Sequence, residues 1–248
     1  MEIIPIPAFT DNYVWLIRSG QKAVVVDPGD AAPVRRYLAR HDLEITGILI
    51  THHHGDHIGG IGELARPEIP VFGPADEEIA GVTHPVAGGD SVQMDAPRLF
   101  FEVMDVPGHT RGHIAYHGHG LVFCGDTLFN AGCGRIFEGT PQQLHASLQA
   151  LAALPPETRV YCTHEYTLAN LRFAEAAEPD NPARDRFAAE MQALRDAGEP
   201  TLPTDLATQR AINPFLRCDS PSVRATLALQ DASDEAVFTA LRDWKNRF

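Results

Sequence analysis

Ten of the twelve histidines lie before residue 120, and they are bunched rather than scattered. The densest bunch is Thr51-His52-His53-His54-Gly55-Asp56-His57, directly after the apolar run Gly47-Ile48-Leu49-Ile50. If that run is a strand, the period-two rule sends His52 and His54 to one side and His53 to the other. Asp56 and His57 then fall where the chain turns into the next helix, so Asp56 reads either as a helix cap or as a ligand. Three more residues of ligand type follow apolar runs at once: His109 after FFEVMDVPG, Asp126 after LVFCG and His164 after RVYCT. Residues just past strand ends in an α/β sheet converge on one edge, where ligands bind. Five imidazoles and two carboxylates exceed one tetrahedral zinc with an open position, which takes three protein ligands, and fit two metals sharing a carboxylate. Taken singly, each is as readily a cap, a turn residue or a hydrogen-bonded core histidine. Their joint occurrence points to metal.

The elements that must position these residues are legible as short apolar runs punctuated by Gly and Pro. EIIPI, YVWLI, KAVVVDPG, GILITH, PVFG, RLFFEVMDVPGH, GLVFCGD and RVYCTH have strand length and composition. Helical stretches lie between them at Ala32 to His41, Ile58 to Arg66 and Gln142 to Leu154, the last stopped by Pro155 and Pro156. Strands and helices mixed in this order predict an α/β layer fold over residues 1–166. From Thr167 the texture changes to LANLRFAEAAE, ARDRFAAEMQALRDAG, SVRATLALQ and DEAVFTALRDWKNRF, broken by EPDNP and EPTLPT. A smaller helical domain over 167–248 is the expectation.

The formal charge of −13 argues against duplex nucleic acid or an anionic membrane as partner, because both reward a positive face. A Debye length of about 8 Å still lets a small basic pocket survive on an acidic protein. MEIIPIPAFTDNY has no basic start and no long apolar core, and no stretch of about 18 apolar residues occurs anywhere. Cys124, Cys133, Cys162 and Cys218 form no CxxC pair and read as reduced, buried thiols. A cytoplasmic monomer is expected, with a small molecule as partner.

THHHGDH, GHTRGH, GDTLF and THEY resemble the metallo-β-lactamase superfamily. FTDNYVWLI, VVVDPG, LFNAGCGRIFEGT, HEYTLANLRFA, EPDNP, INPFLR and LRDWKNRF narrow the resemblance to the glyoxalase II type, hydroxyacylglutathione hydrolase, over nearly the whole chain. That resemblance implies a four-layer αββα sandwich with metals at one edge. It gives His52, His54 and His109 to one metal, Asp56, His57 and His164 to the second, and Asp126 to both. His113 is thereby a structural neighbour of the ligands. Asp27 in VVVDPG reads equally as a turn residue and as an orienting partner of a ligand imidazole. Common zinc β-lactamases carry a cysteine at the position of Asp126; Cys124 lies two residues earlier inside the apolar strand, so Asp126 is preferred. The metals implied are divalent, with zinc first and iron or manganese as alternatives.

The same resemblance implies hydrolysis of the thioester S-D-lactoylglutathione to glutathione and D-lactate, by a hydroxide held between the metals that Asp56 and Asp126 bind. A thiol with a pKa near 8.5 leaves as thiolate without an obligatory general acid. No Ser-His-Asp triad is expected, and no GxSxG elbow occurs. For the glutathione half, Arg135, Tyr166, Arg242 and Lys245 match contact positions of the family, and Phe137 stands where members carry a tyrosine. If DEAVFTALRDWKNRF is one helix, Arg242 and Lys245 share a face. The competing readings are a glutathione persulfide dioxygenase with a single iron, a broader acyl-thioesterase or lactamase, and a non-catalytic metal-binding or RNA-processing module.

Overall fold

A computed structural model describes all 248 residues. The chain divides into two compact units, Met1–Asp105 with Thr110–Gly125, and Val106–His109 with Asp126–Phe248. The second unit therefore starts well before the change of texture at residue 167, because Asp126 to Tyr166 pack with the helices that follow.

The first unit is built on strands β1 (Glu2–Ala8), β2 (Asn12–Ser19), β3 (Lys22–Val26), β4 (Glu44–Leu49), β5 (Val71–Pro74) and β6 (His84–Val86), adjacent in chain order within one sheet. The first three pair antiparallel and β3 to β6 pair parallel, so the sheet is mixed. A crossover helix, α1 (Ala31–His41), makes the parallel step from β3 to β4. Its N-terminus is capped by Asp30, whose carboxylate accepts from Ala32 N at 2.8 Å. Val14, Leu16, Val25, Ile48 and Ile50 alternate onto the face that meets Val34, Ile61 and Leu64 of the helices. The intervening residues Trp15, Ile17, Val24 and Leu49 are buried as well, which explains why these strands read as unbroken apolar runs. β7 (Ser91–Asp95), β8 (Arg98–Asp105), β9 (Ile114–Gly118) and β10 (Leu121–Gly125) form an antiparallel meander. Thr46 Oγ1 of β4 donates to Ala96 O of the β7–β8 turn, and Tyr116 of β9 donates to Ile50 O at 2.8 Å.

The helix expected over 58–66 is instead two single turns, α2 (Gly55–Ile58) and α3 (Ile61–Leu64). Gly59 and Gly60 interrupt it because they lie against the backbone of residues 28–31, where a Cβ would come within 2.5 Å of Gly29 O and of Pro28 O. β6, β7 and β9 were not anticipated; the first two alternate or carry prolines and so present no apolar run.

The second unit holds the short hairpin β11 (Leu128–Phe129) and β12 (Gly132–Cys133), helix α4 (Pro141–Ala152), and strand β13 (Arg159–Cys162) paired with β14 (Thr204–Asp205). Helices α5 (Thr167–Ala177), α6 (Pro182–Asp196), α7 (Leu206–Ile212), α8 (Pro221–Leu227) and α9 (Asp234–Lys245) complete it. Thr140 and Gln143 make a reciprocal capping box on α4. The motif EPDNP is a helix-to-helix joint: Glu178 follows α5, Asn181 caps α6 by accepting from Arg184 N at 3.0 Å, and Pro182 takes the first helical position. Ala131, Leu171, Ala174, Met191 and Ile212 form one core patch, and Phe173, Phe215, Phe238 and Trp244 form an aromatic chain with centroids 5.1–5.8 Å apart.

Glu178 anchors this unit. Its carboxylate accepts from Asn181 Nδ2 at 2.8 Å, from Arg217 Nε and Nη2 at 2.8 Å each, and from Ser220 Oγ at 2.6 Å. Burial pushes its pKa up, but these four donors and the Arg217 charge outweigh burial, and the net direction is down. Its stabilisation is therefore complete above the unfolded carboxyl value of about 4.3 and is lost as pH falls through the depressed folded value. Glu178→Gln should cost on the order of 2 kcal/mol at pH 7, below the range for a fully buried pair because Arg217 is partly exposed. In urea denaturation the deficit should shrink once the pH is below the unfolded value; a deficit that stays constant from neutral to acid pH would contradict this account.

Candidate functional site

In the first unit the candidate ligands are aligned from the ends of β3 and β4. Parallel pairing sets Val26 beside Leu49, and Asp27 N continues it by donating to Leu49 O at 2.9 Å. Asp27 then turns with φ of +50° and is buried. Its Oδ1 accepts from Thr51 N at 2.8 Å, and its Oδ2 accepts from Thr51 Oγ1 at 2.8 Å and from His57 Nδ1 at 3.1 Å. The two readings of Asp27 are thus both realised, as the DPG turn and as the partner of an imidazole. Gly29 of that turn is obligatory, since a Cβ there would sit 1.7 Å from Asp56 O.

These bonds determine tautomers. His57 spends Nδ1–H on Asp27, so its lone pair is at Nε2. Thr51 spends its one proton on Asp27, so its Oγ1 accepts from His52 Nδ1, 3.1 Å away, and the His52 lone pair is also at Nε2. His52 Nε2 stands 3.1 Å from His54 Nδ1. Two nitrogens on one tetrahedral zinc, each bonded at about 2.0–2.1 Å, lie roughly 3.3 Å apart. The donor set in this unit therefore fits a divalent metal. His57 Nε2 lies 3.7 Å from Asp56 Oδ2, and Asp56 accepts from Asn12 Nδ2 at 2.9 Å. Asp56 lies within the first turn of α2 and is not its cap residue. His113 stacks on His52 at 4.5 Å and 19° and buttresses that ring.

In the second unit, Asp126 Oδ2 faces two imidazoles, His109 Nε2 at 3.5 Å and His164 Nε2 at 3.2 Å. His109 spends Nδ1–H on Arg135 O at 2.7 Å, which again places its lone pair at Nε2. Phe137 N donates to His109 O at 3.1 Å, and the Phe137 ring meets the His109 ring edge-on at 5.3 Å. Tyr166 stacks flat on His164 at 4.6 Å and 3°. Arg135 lies over the exposed Phe137 ring, 5.6 Å from its centroid.

Two family models match the chain in succession, the metallo-β-lactamase superfamily over residues 8–164 and the hydroxyacylglutathione hydrolase C-terminus over residues 165–248. The hydroxyacylglutathione hydrolase of Nitrosomonas eutropha is 50% identical over the whole chain and 99% of its own length. That of Vibrio cholerae is 51% identical, with both chains covered in full. The chain belongs to the hydroxyacylglutathione hydrolase family of the metallo-β-lactamase superfamily. Among solved structures it is similar to ETHE1 from Myxococcus xanthus, with a TM-score of 0.68 at 26% identity, covering 98% of this chain and 91% of that one. A structure of TTHA1623 in a di-iron-bound form matches with a TM-score of 0.60 at 27% identity, covering 86% and 100%. The fold is α/β, the metallo-β-lactamase fold with mixed sheet, flanking helices and a helical C-terminal region.

Within the hydroxyacylglutathione hydrolase C-terminal region, α9 confirms the single helix expected for the last segment, and Arg242 and Lys245 both turn inward. Arg242 is buried, donating from Nη1 to Cys133 O at 3.0 Å and Gly134 O at 3.2 Å, with its guanidinium over Phe215. Lys245 Nζ donates to Ala169 O at 3.3 Å and lies over both the Phe173 and Phe248 rings, 5.1 and 5.6 Å from their centroids. Burial, then the charges of Arg242 and Arg172, bring its pKa down to about 8. Sequence reasoning missed the residues that hold the loop between Asp126 and Arg135. Asn170 Nδ2 donates to Asn130 O at 3.1 Å, Gln209 Oε1 accepts from Ala131 N at 2.8 Å, and Asn213 Nδ2 donates to Gly132 O at 2.9 Å. Asn170 and Asn213 carry a sequence signal, in HEYTLANL and INPFLR; Gln209 lies in neither.

Because Arg242 holds Cys133 and Gly134, its removal should cost stability. Arg242→Ala is expected to lose about 2–3 kcal/mol in urea denaturation, the range for buried hydrogen bonds to a charged group. A variant with unchanged stability and only a raised KM would show that Arg242 does no more than contact substrate.

Proposed function

We propose that this chain hydrolyses S-(2-hydroxyacyl)glutathione thioesters, S-D-lactoylglutathione first among them, to glutathione and the 2-hydroxy acid, in the detoxification of methylglyoxal. Coverage carries this reading: both family models and relatives named hydroxyacylglutathione hydrolase account for the chain from end to end. Residues 1–166 form the catalytic part in this reading and 167–248 the helical substrate-binding part. The protein acts as a cytoplasmic monomer on a small molecule, with neither nucleic acid nor membrane as partner. The net charge of −13 supports the exclusion of polyanions, four free buried cysteines support a reducing compartment, and no helix is long and apolar enough to cross a membrane.

Two divalent ions, zinc before iron or manganese, would be held by His52, His54 and His109 and by Asp56, His57 and His164, with Asp126 shared. Asp126 supports the sharing, since one of its oxygens faces a nitrogen assigned to each ion. Bound divalent metal lowers the pKa of water from 15.7 to about 7 and polarises a carbonyl oxygen. The chain supplies the rest. Asp27, Thr51 and the Arg135 carbonyl hold three lone pairs at Nε2. His113 backs the His52 ring. Arg135, Lys245 and Tyr166 offer cations and a hydroxyl to the carboxylates of glutathione, Arg242 fixes the loop that bears Arg135, and Phe137 gives Arg135 a ring face in place of a tyrosine hydroxyl. The departing thiolate, with a conjugate-acid pKa near 8.5, needs no proton donor.

Purified protein with measured metal content, offered S-D-lactoylglutathione, an acyl-CoA, nitrocefin and glutathione persulfide, should consume the first far faster than the others. Rapid oxygen uptake with an inert thioester would establish the dioxygenase reading instead. Asp126→Ala should lose most bound metal and activity while His113→Ala keeps two ions; the reverse outcome would overturn the ligand assignment.

The Lys245 ammonium binds substrate only when protonated, and its pKa is about 8. KM should therefore rise with pH through that value while kcat stays level, and Lys245→Arg should remove the rise. A KM independent of pH in the parent would take Lys245 out of the site.

A further inference from the structure

A buried carboxylate outside the donor set ties two ligand-bearing loops together. Glu77 follows β5 in the turn before β6, and its side chain is 4% exposed. Its Oε1 accepts from Thr110 Oγ1 at 2.5 Å and from Gly112 N at 3.2 Å. Its Oε2 lies 3.0 Å from His53 Nδ1. His53 separates His52 from His54, while Thr110 and Gly112 lie between His109 and His113. These partners belong to two short segments, residues 52–57 and 109–113. Gly112 meets the same carboxylate sterically: a Cβ there would come within 2.6 Å of Glu77 Cγ and 3.1 Å of the Asp76 carbonyl carbon. The second glycine of GHTRGH is therefore fitted to Glu77.

An ordinary turn carboxylate caps its own backbone. Glu77 reaches residues 24 and 33 to 35 positions away and is desolvated in doing so, a cost that a surface turn has no reason to bear. Its Oε2 stands 3.0 Å from Nδ1 of the His53 ring, and that ring meets the His54 ring edge-on at 5.1 Å. Its bonds to Thr110 and Gly112 fix the segment that begins directly after His109.

We infer that Glu77 is a positioning residue for the metal ligands, setting the His52–His57 loop against the segment that follows His109. The inference rests on the two-metal reading. Partners of this kind are worth 10–100-fold in metal affinity. Glu77→Ala should release zinc to a chelating dye 10–100-fold more readily than the parent, and kcat at limiting zinc should fall while KM for the thioester changes by less than about twofold. Glu77→Gln preserves volume and the acceptor for Thr110 and Gly112, so its deficit should be smaller than that of Glu77→Ala. Saturating zinc should restore most of the kcat of both variants. If Glu77→Ala fails to fold, Glu77→Gln alone decides the matter by its zinc release. A parent that holds two ions, with variants that release zinc at the parental rate, would overturn the inference and leave the two-metal reading standing. A parent that binds no divalent metal would overturn both.

Discussion

The site depends on which nitrogen of each imidazole carries the proton. A neutral histidine offers one donor and one lone pair, and a metal takes the lone pair. Asp27 settles the matter for two rings at once, for His57 directly and for His52 through the Thr51 hydroxyl. Much of the first unit follows from that carboxylate. It needs β3 and β4 parallel and adjacent so that Asp27 and Thr51 leave the sheet side by side. It also needs the DPGD turn to carry the loop of residues 54–60, which is why Gly29, Gly59 and Gly60 have backbone where a Cβ would go. The single helix that the periodicity suggests for residues 58–66 gives way to this contact.

His109 is settled differently, by the carbonyl of Arg135, and so its tautomer depends on a loop. A loop is a poor reference point unless something rigid holds it, and here the helical tail does. Asn170 on α5, Gln209 on α7, Asn213 after α7 and Arg242 on α9 each bond the backbone of residues 130–134. Backbone groups without regular secondary structure must find partners when buried, and amide side chains supply both donors and acceptors. The tail therefore helps to orient His109. Removing its amides would loosen the carbonyl that orients His109.

Local rules made the candidate ligand positions legible. Residues following strands picked out His52, His54, His109, Asp126 and His164, whereas the alternation expected to part His53 from His54 ends with β4, and those two rings lie 5.1 Å apart. The DPG turn and the last helix were likewise readable from a few neighbouring residues. Asn12, Glu77, Gln209 and Asn213 were not, because what they do depends on partners 24 to 84 positions away, and no period or spacing encodes those pairs. The resemblance to a family marked the segments in which some of them lie but gave them no role. β6 and β7 were missed for a related reason, being short or half-buried strands whose pairing comes from the sheet and not from an apolar run.

Charge shows the same division between local and global. A chain at −13 has every reason to keep Lys245 protonated by long-range attraction, yet its pKa falls. Burial removes water from the ammonium, Arg242 and Arg172 repel it, and no carboxylate is among the charges that shift it. Screening over about 8 Å makes distant carboxylates count for little. A local cationic cluster is thereby compatible with an acidic protein, and it is left short of negative charge. An anion that enters it relieves the repulsion between Lys245 and the two guanidiniums and raises the lysine pKa, so binding and protonation reinforce each other.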